Sequence, residues 1–401
     1  MLRTDPNPTV DRPWLPVCAS LDLPPGAVRT VVSGEREGVV WRGASGVLGA
    51  VEAWCPHLGA HLGKGGTVDD DELVCPFHQW RFEPQGGCTA LGYPAPAVPP
   101  NGRAQAWESR ESNGQVQVRQ PAEEALPKRG LGQVPSAPGQ FPAGWYKVGV
   151  SSRIPQGAVT EARYFGRTLR LTRGPDGVLA QFAEGHGPLP SVETGGLVLV
   201  WYGGGEPLYA APDFSAYADP RRSWRLYEEV VSTSLWDVAE NPFDVAHLRT
   251  VHHLDIDGEA RVESDGHSLH LRFDATVALP GPLAAVGRQI HVSTHVESFG
   301  LGLTETHIHP QVFAQTWMMG CNTPVDDGTT EYTLIFISEP RGWLPRGARL
   351  AHAVTAGTVW WLTEVEREVW SRKQYLGRPC LTRPERGIGR FRKWARQFPC
   401  A

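Results

Sequence analysis

Cys55-Pro56-His57, then seventeen residues, then Cys75-Pro76-Phe77-His78 is the stretch whose reading decides the first half of the chain. Two Cys and two His arrive as paired short loops. Thiolates are soft donors that hold iron well, and imidazoles are neutral donors that leave one iron less negatively charged. Two Cys on one iron and two His on the other is a known ligand set for a [2Fe–2S] centre. The competing reading is a zinc knuckle, in which the His usually follows the second Cys pair at greater distance. The loops favour iron–sulfur. Gly59, Gly63, Gly65 and Gly66 let backbone N–H groups approach cluster sulfurs, and Pro56 and Pro76 stiffen the loops.

These residues resemble the Rieske family, and Cys75-Pro-Phe-His78-Gln-Trp80-Arg-Phe82 is similar to the pattern of its oxygenase members. Respiratory members carry an additional Cys in each loop, at positions that here hold Ala60 and Phe77. Their cluster-facing hydroxyls correspond to Trp80 and Phe82, which offer no O–H. The resemblance therefore implies a low-potential centre, since fewer hydrogen bonds to sulfur lower the potential. One departure is Gln79, where Gly is usual, so a different local turn is expected there.

With 401 residues the chain has room for two or three domains. A net charge of −5 gives no basic field for nucleic acid, and no apolar run approaches the about 18 residues of a membrane span. The N-terminus, Met1-Leu-Arg-Thr-Asp-Pro, lacks an apolar signal core. Beyond the two in the motif, Cys18, Cys88, Cys321, Cys380 and Cys400 are scattered, and the odd total of seven reads as free thiols in a reducing, cytoplasmic compartment.

Residues 1–119 read as an all-β module with strands at Val39-Val40-Trp41, Val47-Leu48, Leu73-Val74 and Val116-Gln117-Val118. Residues 120–144 are rich in Pro, Gly and Ala and read as a linker. Beyond it the chain repeats itself. Shifted by 131, residues 14–51 align without gaps on 145–182, and 13 of the 38 positions are identical. They include Trp14 with Trp145, Pro24 with Pro155, Gly26-Ala27-Val28 with Gly157-Ala158-Val159, and Gly46-Val47-Leu48 with Gly177-Val178-Leu179. Chance gives about two or three. The copy has no Cys between residues 142 and 204, and it rejoins the pattern at 192–201, which parallels 111–118. Residues 145–204 are thus expected to be a shortened module of the same kind without a cluster.

Residues 205–401 mix strands at Ala260–Phe273, Ile290–Val296, Thr304–His309 and Glu331–Ile337 with one long helix at Arg349–Leu376, an α+β arrangement. The second chemical stretch is Glu240-Asn241-Pro242-Phe243-Asp244-Val245-Ala246-His247, continuing to His252. On one helix, Asp244 and His247 share a face and His252 lies near it. Two imidazoles so placed, with a further carboxylate, make a 2-His-1-carboxylate triad that leaves open positions for O2 and substrate.

Across most of its length the chain resembles Rieske non-haem iron oxygenases, nearest to the branch of ketosteroid hydroxylases and cholesterol 7-desaturases. Thr323-Pro324-Val325-Asp326 and Phe391-Arg392-Lys393-Trp394 also match that branch. The resemblance implies a helix-grip catalytic domain at 205–401 that holds mononuclear Fe(II) on His247, His252 and an acid four residues before a helical Trp. Trp370 makes that acid Glu366, where Asp is usual, and Glu364 and Glu368 are expected to point elsewhere. Asp244 is implied to link His247 to the cluster ligand His78 of a neighbouring subunit in a ring, usually a trimer. In the family the module joined to the catalytic domain carries the cluster, whereas here the joined copy is the empty one, so the N-terminal module is expected to supply the electrons.

The expected partners are a ferredoxin or NAD(P)H-dependent reductase, O2 and a small apolar, sterol- or isoprenoid-like substrate that is hydroxylated or desaturated. Phe299, Leu301, Val312, Phe313, Trp317, Met318 and Met319 are candidates to line its pocket, or ordinary core. The alternatives are an electron carrier whose C-terminal domain binds a ligand without catalysis, and a dioxygenase for aromatic acids. The remaining histidines, and the basic tail from Arg378 to Arg396, read as surface or structural residues.

Overall fold

The computed structural model describes residues 12–122, 135–185, 187–218, 223–278, 289–310, 315–339 and 364–401. The chain divides into two units, Met1–Gly130 with Arg378–Cys380, and Leu131–Gly377 with Leu381–Ala401. The division falls inside the Pro/Gly-rich stretch expected to be a linker.

In the first unit the strands are β1 (Leu15–Ala19), β2 (Val28–Ser33), β3 (Arg36–Arg42), β4 (Leu48–Glu52), β5 (Thr67–Asp69), β6 (Glu72–Val74), β7 (Arg81–Phe82), β8 (Cys88–Ala90), β9 (Glu108–Ser112) and β10 (Gln115–Arg119). Three antiparallel sheets result, β1-β10-β9, β2-β3-β4 and β5-β6-β7-β8. The two cysteine loops flank the short strands of the last sheet.

The second unit begins with β11 (Gly144–Val150), β12 (Val159–Tyr164), β13 (Arg167–Gly174), β14 (Gly177–Phe182), β15 (Ser191–Thr194) and β16 (Leu197–Tyr202). They form two sheets, β11-β16-β15 and β12-β13-β14, in the same orders as β1-β10-β9 and β2-β3-β4. The likeness extends to single atoms. The β1/β10 pair is bulged between Pro16 and Cys18, and β11/β16 between Lys147 and Gly149, which are the same positions under the 131-residue shift. Arg42 Nε donates to Leu23 O at 2.6 Å, and its NH2 reaches Ser20 Oγ and Glu111. Arg173 Nε donates to Ile154 O at 2.8 Å, and its NH2 reaches Ser151 Oγ and Glu193. Where the first frame carries β5–β8 and the cysteine loops, the second runs directly from β14 to β15.

The rest is one antiparallel sheet of β17 (Ser223–Val231), β18 (Asp255–Ile256), β19 (Arg261–Asp265), β20 (Ser268–Ala278), β21 (Gln289–Phe299), β22 (Leu303–Pro310), β23 (Gln315–Asp326) and β24 (Thr329–Glu339). Its order is β17-β24-β23-β22-β21-β20-β18, with β19 on β20. Among the described residues the helices are α1 (Leu235–Glu240), α2 (Val245–Thr250), α3 (364–370) and α4 (Arg386–Ala395). Side chains alternate between the faces of the sheet. Leu269, Leu271, Phe273 and Val296 share a core with Trp236, Phe243 and Phe391 of the helices. On the opposite face, Leu303, Met319, Ile335 and Ile337 pack with Trp145, Leu197 and Trp201 of the second frame. That frame therefore shares its core with the large sheet.

Three expectations change. Ala260–Phe273 is a hairpin, β19 and β20, because Gly266 takes a positive φ of 55° and turns the chain. The expected helix 349–376 is described only from residue 364, and it ends at 370. Past that point Lys373 turns inward to Asp237, while Tyr375 and Leu376 join the core. Among the pocket candidates, register places Met318 opposite Thr306 and Phe336, on the face turned to the helices. Phe299, Trp317 and Met319 pack on the opposite face, Leu301 lies in the turn after β21, and Val312 and Phe313 lie outside the described residues.

Candidate metal centres

The two cysteine loops are built alike. Cys55 N–H donates to Ala60 O at 2.8 Å and Gly59 N–H returns to Cys55 O at 3.0 Å. Cys75 N–H donates to Trp80 O at 2.8 Å and Gln79 N–H returns to Cys75 O at 3.1 Å. In both loops the fifth residue has a left-handed backbone, Gly59 with φ 78° and Gln79 with φ 54°. Gln79 thus keeps the same left-handed turn as Gly59 in the sister loop. Gly92 makes room for it, because a Cβ there would stand 2.6 Å from His78 O and 2.5 Å from Gln79 Cβ.

The turns bring all four predicted ligands together. Cys55, His57, Cys75 and His78 are each 1% exposed, and the imidazole centroids of His57 and His78 lie 4.4 Å apart. Trp80 stacks on His57 at 4.6 Å, and its indole N–H donates to Tyr93 Oη at 3.2 Å. Burial pushes both thiols up. Cys75 nonetheless ends below its usual range, through hydrogen bonds from Cys55 and from the N–H groups of Phe77 and His78. Cys55 ends well above it. Backbone donors aimed at a buried sulfur suit a metal-bound thiolate, so the donor set fits a [2Fe–2S] cluster. His61, off the ligand spacing, is a core residue: Nε2 lies 2.7 Å from Glu37 and Nδ1 accepts from Gly63 N–H. Cys380 belongs to this unit, its N–H donating to Pro56 O and its thiol lying 3.1 Å from Asn101 Oδ1.

In the second unit, Ser234 caps α1 by accepting from Asp237 N–H. Pro242 then opens a tight turn, Asn241–Phe243, that ends the helix. Asp244 starts the next helix by accepting from His247 N–H at 3.0 Å. Sequence reading placed Asp244 and both histidines on one helix. Asp244 is instead the cap, and His252 lies past the end of α2 at Thr250, so its ring stands at 90° to that of His247. α3 supplies Glu366. His247 Nε2, His252 Nε2 and Glu366 Oε1 form a triangle with sides of 3.0, 2.5 and 2.8 Å. An octahedral ion with bonds of about 2.1 Å sets adjacent ligand atoms about 3.0 Å apart, so the triangle fits one face of such a shell. Glu364 and Glu368 pair with Arg367 and Arg372 at the surface, as expected.

Burial opposes the charge on Glu366, but His247 and His252 hold its carboxyl well below the carboxylate range. His247 rises against burial because Glu366 faces it, while burial lowers His252. Asn241 Nδ2 donates to Glu366 Oε1 at 3.1 Å and orients it.

Sequence reading missed what holds these pieces in place. Lys373 Nζ lies 2.7 Å from Asp237 and 3.6 Å from Glu240, and Arg392 grips Glu240 at 2.7 and 3.0 Å. The two acids are buried and the two bases half-buried, and the four balance in charge, joining α1 to the segment after α3 and to α4. Arg392, read from sequence as part of a solvated basic tail, is one of them. The available signal was that Lys373 falls two helical turns after Glu366.

Comparison with known proteins gives two family matches, a Rieske [2Fe-2S] domain at residues 13–103 and a 3-ketosteroid 9alpha-hydroxylase C-terminal domain at residues 200–398. The chain is 21% identical to cholesterol 7-desaturase nvd of Xenopus laevis over 96% of this chain and 71% of that protein. It is 39% identical to the Hemicentrotus pulcherrimus protein of the same name, over 28% of this chain and 25% of that one. It is 41% identical to the oxygenase component of 3-ketosteroid-9-alpha-monooxygenase of Rhodococcus rhodochrous, over 20% of each. The more identical matches thus span a quarter or less of the relatives' length. Among solved structures, dicamba monooxygenase bound to dicamba aligns over 98% of both chains at 12% identity, with a TM-score of 0.32.

Proposed function

This chain belongs to the Rieske non-haem iron oxygenases, and from that premise we propose that it is an oxygenase component that hydroxylates or desaturates an apolar, sterol-like molecule with O2 and electrons from an external ferredoxin or NAD(P)H-dependent reductase. The observation that carries the proposal is the meeting of His247 and His252 with Glu366, which is distant in sequence, within bonding range of one ion. Cys55, His57, Cys75 and His78 hold the [2Fe–2S] cluster, and His247, His252 and Glu366 hold the mononuclear iron. When bound, these groups supply one-electron transfer and O2 chemistry at an iron with open positions.

The protein's own contribution is placement and exclusion. Asn241 and the Lys373–Asp237–Glu240–Arg392 network orient the ligands. Trp80 and the burial of His57 and His78 shield the cluster side chains from water. The sheet face turned to the helices is apolar at Leu271, Phe273, Val296 and Phe336, all packed in the core, and Ser298, Thr304 and Thr306 are among its hydroxyls. Residues 145–204 are, in this reading, a duplicated frame that has lost the cluster-bearing insert, and electrons enter through the N-terminal module. Asp244 takes the role of link to the cluster histidine of a second copy in a ring. Among the described residues no helix is long and apolar enough to cross a membrane. None of the seven cysteines is in a disulfide, which suits a reducing compartment, and we place the chain in the cytoplasm.

The test is iron and sulfide analysis of the anaerobically purified chain, followed by turnover with a reductase, a ferredoxin, O2 and a sterol panel. The expected result is the two irons of the cluster plus one more, and products heavier by about 16 or lighter by about 2 mass units. His252→Ala and Glu366→Gln should each lose the additional iron and the products while keeping the visible spectrum of the cluster. A wild-type chain carrying cluster iron alone would overturn the proposal.

A further inference from the structure

The large sheet carries a second set of donor atoms, on the face away from the helices. Across the β20/β21 pair, His270 is the direct partner of Glu297, and His295 lies two residues along β21 on the same face. His270 Nδ1 stands 3.2 Å from His295 Nε2 and 3.9 Å from Glu297 Oε2. One ligand atom from each of the three lies within 4.8 Å of the other two. All three residues are half-buried, so the site is open to ions from solvent while its side chains are held by the strands.

A hydrogen bond between the imidazoles accounts for the shorter distance only. The longer one exceeds hydrogen-bond range, yet it matches two ligands of a common ion. In a tetrahedral zinc shell with bonds of about 2.1 Å, ligand atoms sit about 3.4 Å apart, between the two distances seen here. Two imidazoles and a carboxylate form a borderline N2O set, which selects zinc-class ions over calcium or magnesium. The neighbours leave room. His307, across from His295 on β22, is engaged by Glu305 at 3.0 Å, and Arg272 leans toward Glu263 at 4.0 Å.

We propose that His270, His295 and Glu297 form a second divalent-metal site of zinc type, with water in its fourth position, clamping β20 to β21. It does not depend on the oxygenase reading. The test is calorimetric titration of the cluster-loaded full chain with Zn2+ alone, in a His252→Ala background that removes the other candidate site. The expected result is one equivalent bound with micromolar affinity or tighter, weakened at least tenfold by Glu297→Gln and abolished by His270→Gln with His295→Gln. Co2+ in place of Zn2+ should give the visible bands of a four-coordinate ion. Far-ultraviolet circular dichroism and a thermal melt report whether each variant has folded. If the double variant does not fold, Glu297→Gln decides alone. Titration without saturable binding, or binding undiminished by Glu297→Gln, would show a hydrogen-bonded histidine pair and overturn the proposal.

Discussion

A single side chain can keep a turn that another residue would form more cheaply. Gln79 holds a left-handed φ of 54° at the place where Gly59 sits in the sister loop. A non-glycine residue in that region costs about 1–2 kcal/mol, and glycine returns part of this through the greater freedom of its unfolded chain. Gln79→Gly should therefore stabilise the cluster module by up to about 1 kcal/mol. Denaturant unfolding followed by the visible cluster band measures it, and a loss of stability would mean that the Gln side chain contributes a contact of its own. The same arithmetic explains why a polar residue is tolerated here but a Cβ at Gly92 is not, since the latter meets backbone oxygen at 2.6 Å.

At the scale of elements, the two frames share an arginine bracket. Arg173 ties the turn at Ile154 and Ser151 to Glu193 on β15, as Arg42 ties Leu23 and Ser20 to Glu111 on β9. Each guanidinium replaces several backbone and side-chain partners at once, and its charge strengthens every bond it makes. Arg173→Ala and Arg42→Ala should each destabilise the chain by about 2–3 kcal/mol, a charge-assisted bond being worth about 1.5–3 kcal/mol. Parallel melts of the two variants check this. A loss below about 0.5 kcal/mol in either would show an exposed ion pair of little weight.

For the molecule as a whole, Lys147 marks where the second frame is fixed to the large sheet. Its Nζ, buried on β11, lies 2.5 Å from Glu228 of β17 and 2.7 Å from Glu331 of β24. Tyr164 Oη donates to the other oxygen of Glu331, and Arg153 pairs with Glu228. Burial pushes Lys147 down, but Glu331 and Glu228 raise it above its ordinary value of 10.5. Its contribution is complete below that value and disappears as pH climbs through the raised one. Burial pushes Glu228 up, yet Lys147 holds it below its ordinary 4.5, so its share is present above 4.5 and fades as acid protonates it. This network's share of the unfolding free energy should thus be flat between these limits and fall outside them. In Lys147→Met the plateau should drop by about 1–3 kcal/mol, the cost of leaving the half-buried carboxylates of Glu228 and Glu331 without their shared cation. Denaturant melts across pH check it, and an unchanged plateau would remove this network as the tie.

What the amino-acid order determined unaided was local chemistry. Cys and His at short spacing, Gly and Pro that permit few turns, and a 131-residue self-match are all readable along the chain, because loop geometry and strand alternation depend on near neighbours. The cluster ligands and the paired frames were therefore legible, whereas Glu366 was reached only through the family resemblance, by its spacing to Trp370. Only the tertiary structure decided which way Asp244 and His252 point, because a proline turn and a helix end break the single helix that spacing suggests. It alone revealed that Arg392 and Lys373 turn inward onto the buried Asp237 and Glu240, and that His270, His295 and Glu297 meet across two strands. Those contacts join residues distant in sequence, and their energy depends on strand register and burial, neither of which a residue's own neighbours specify.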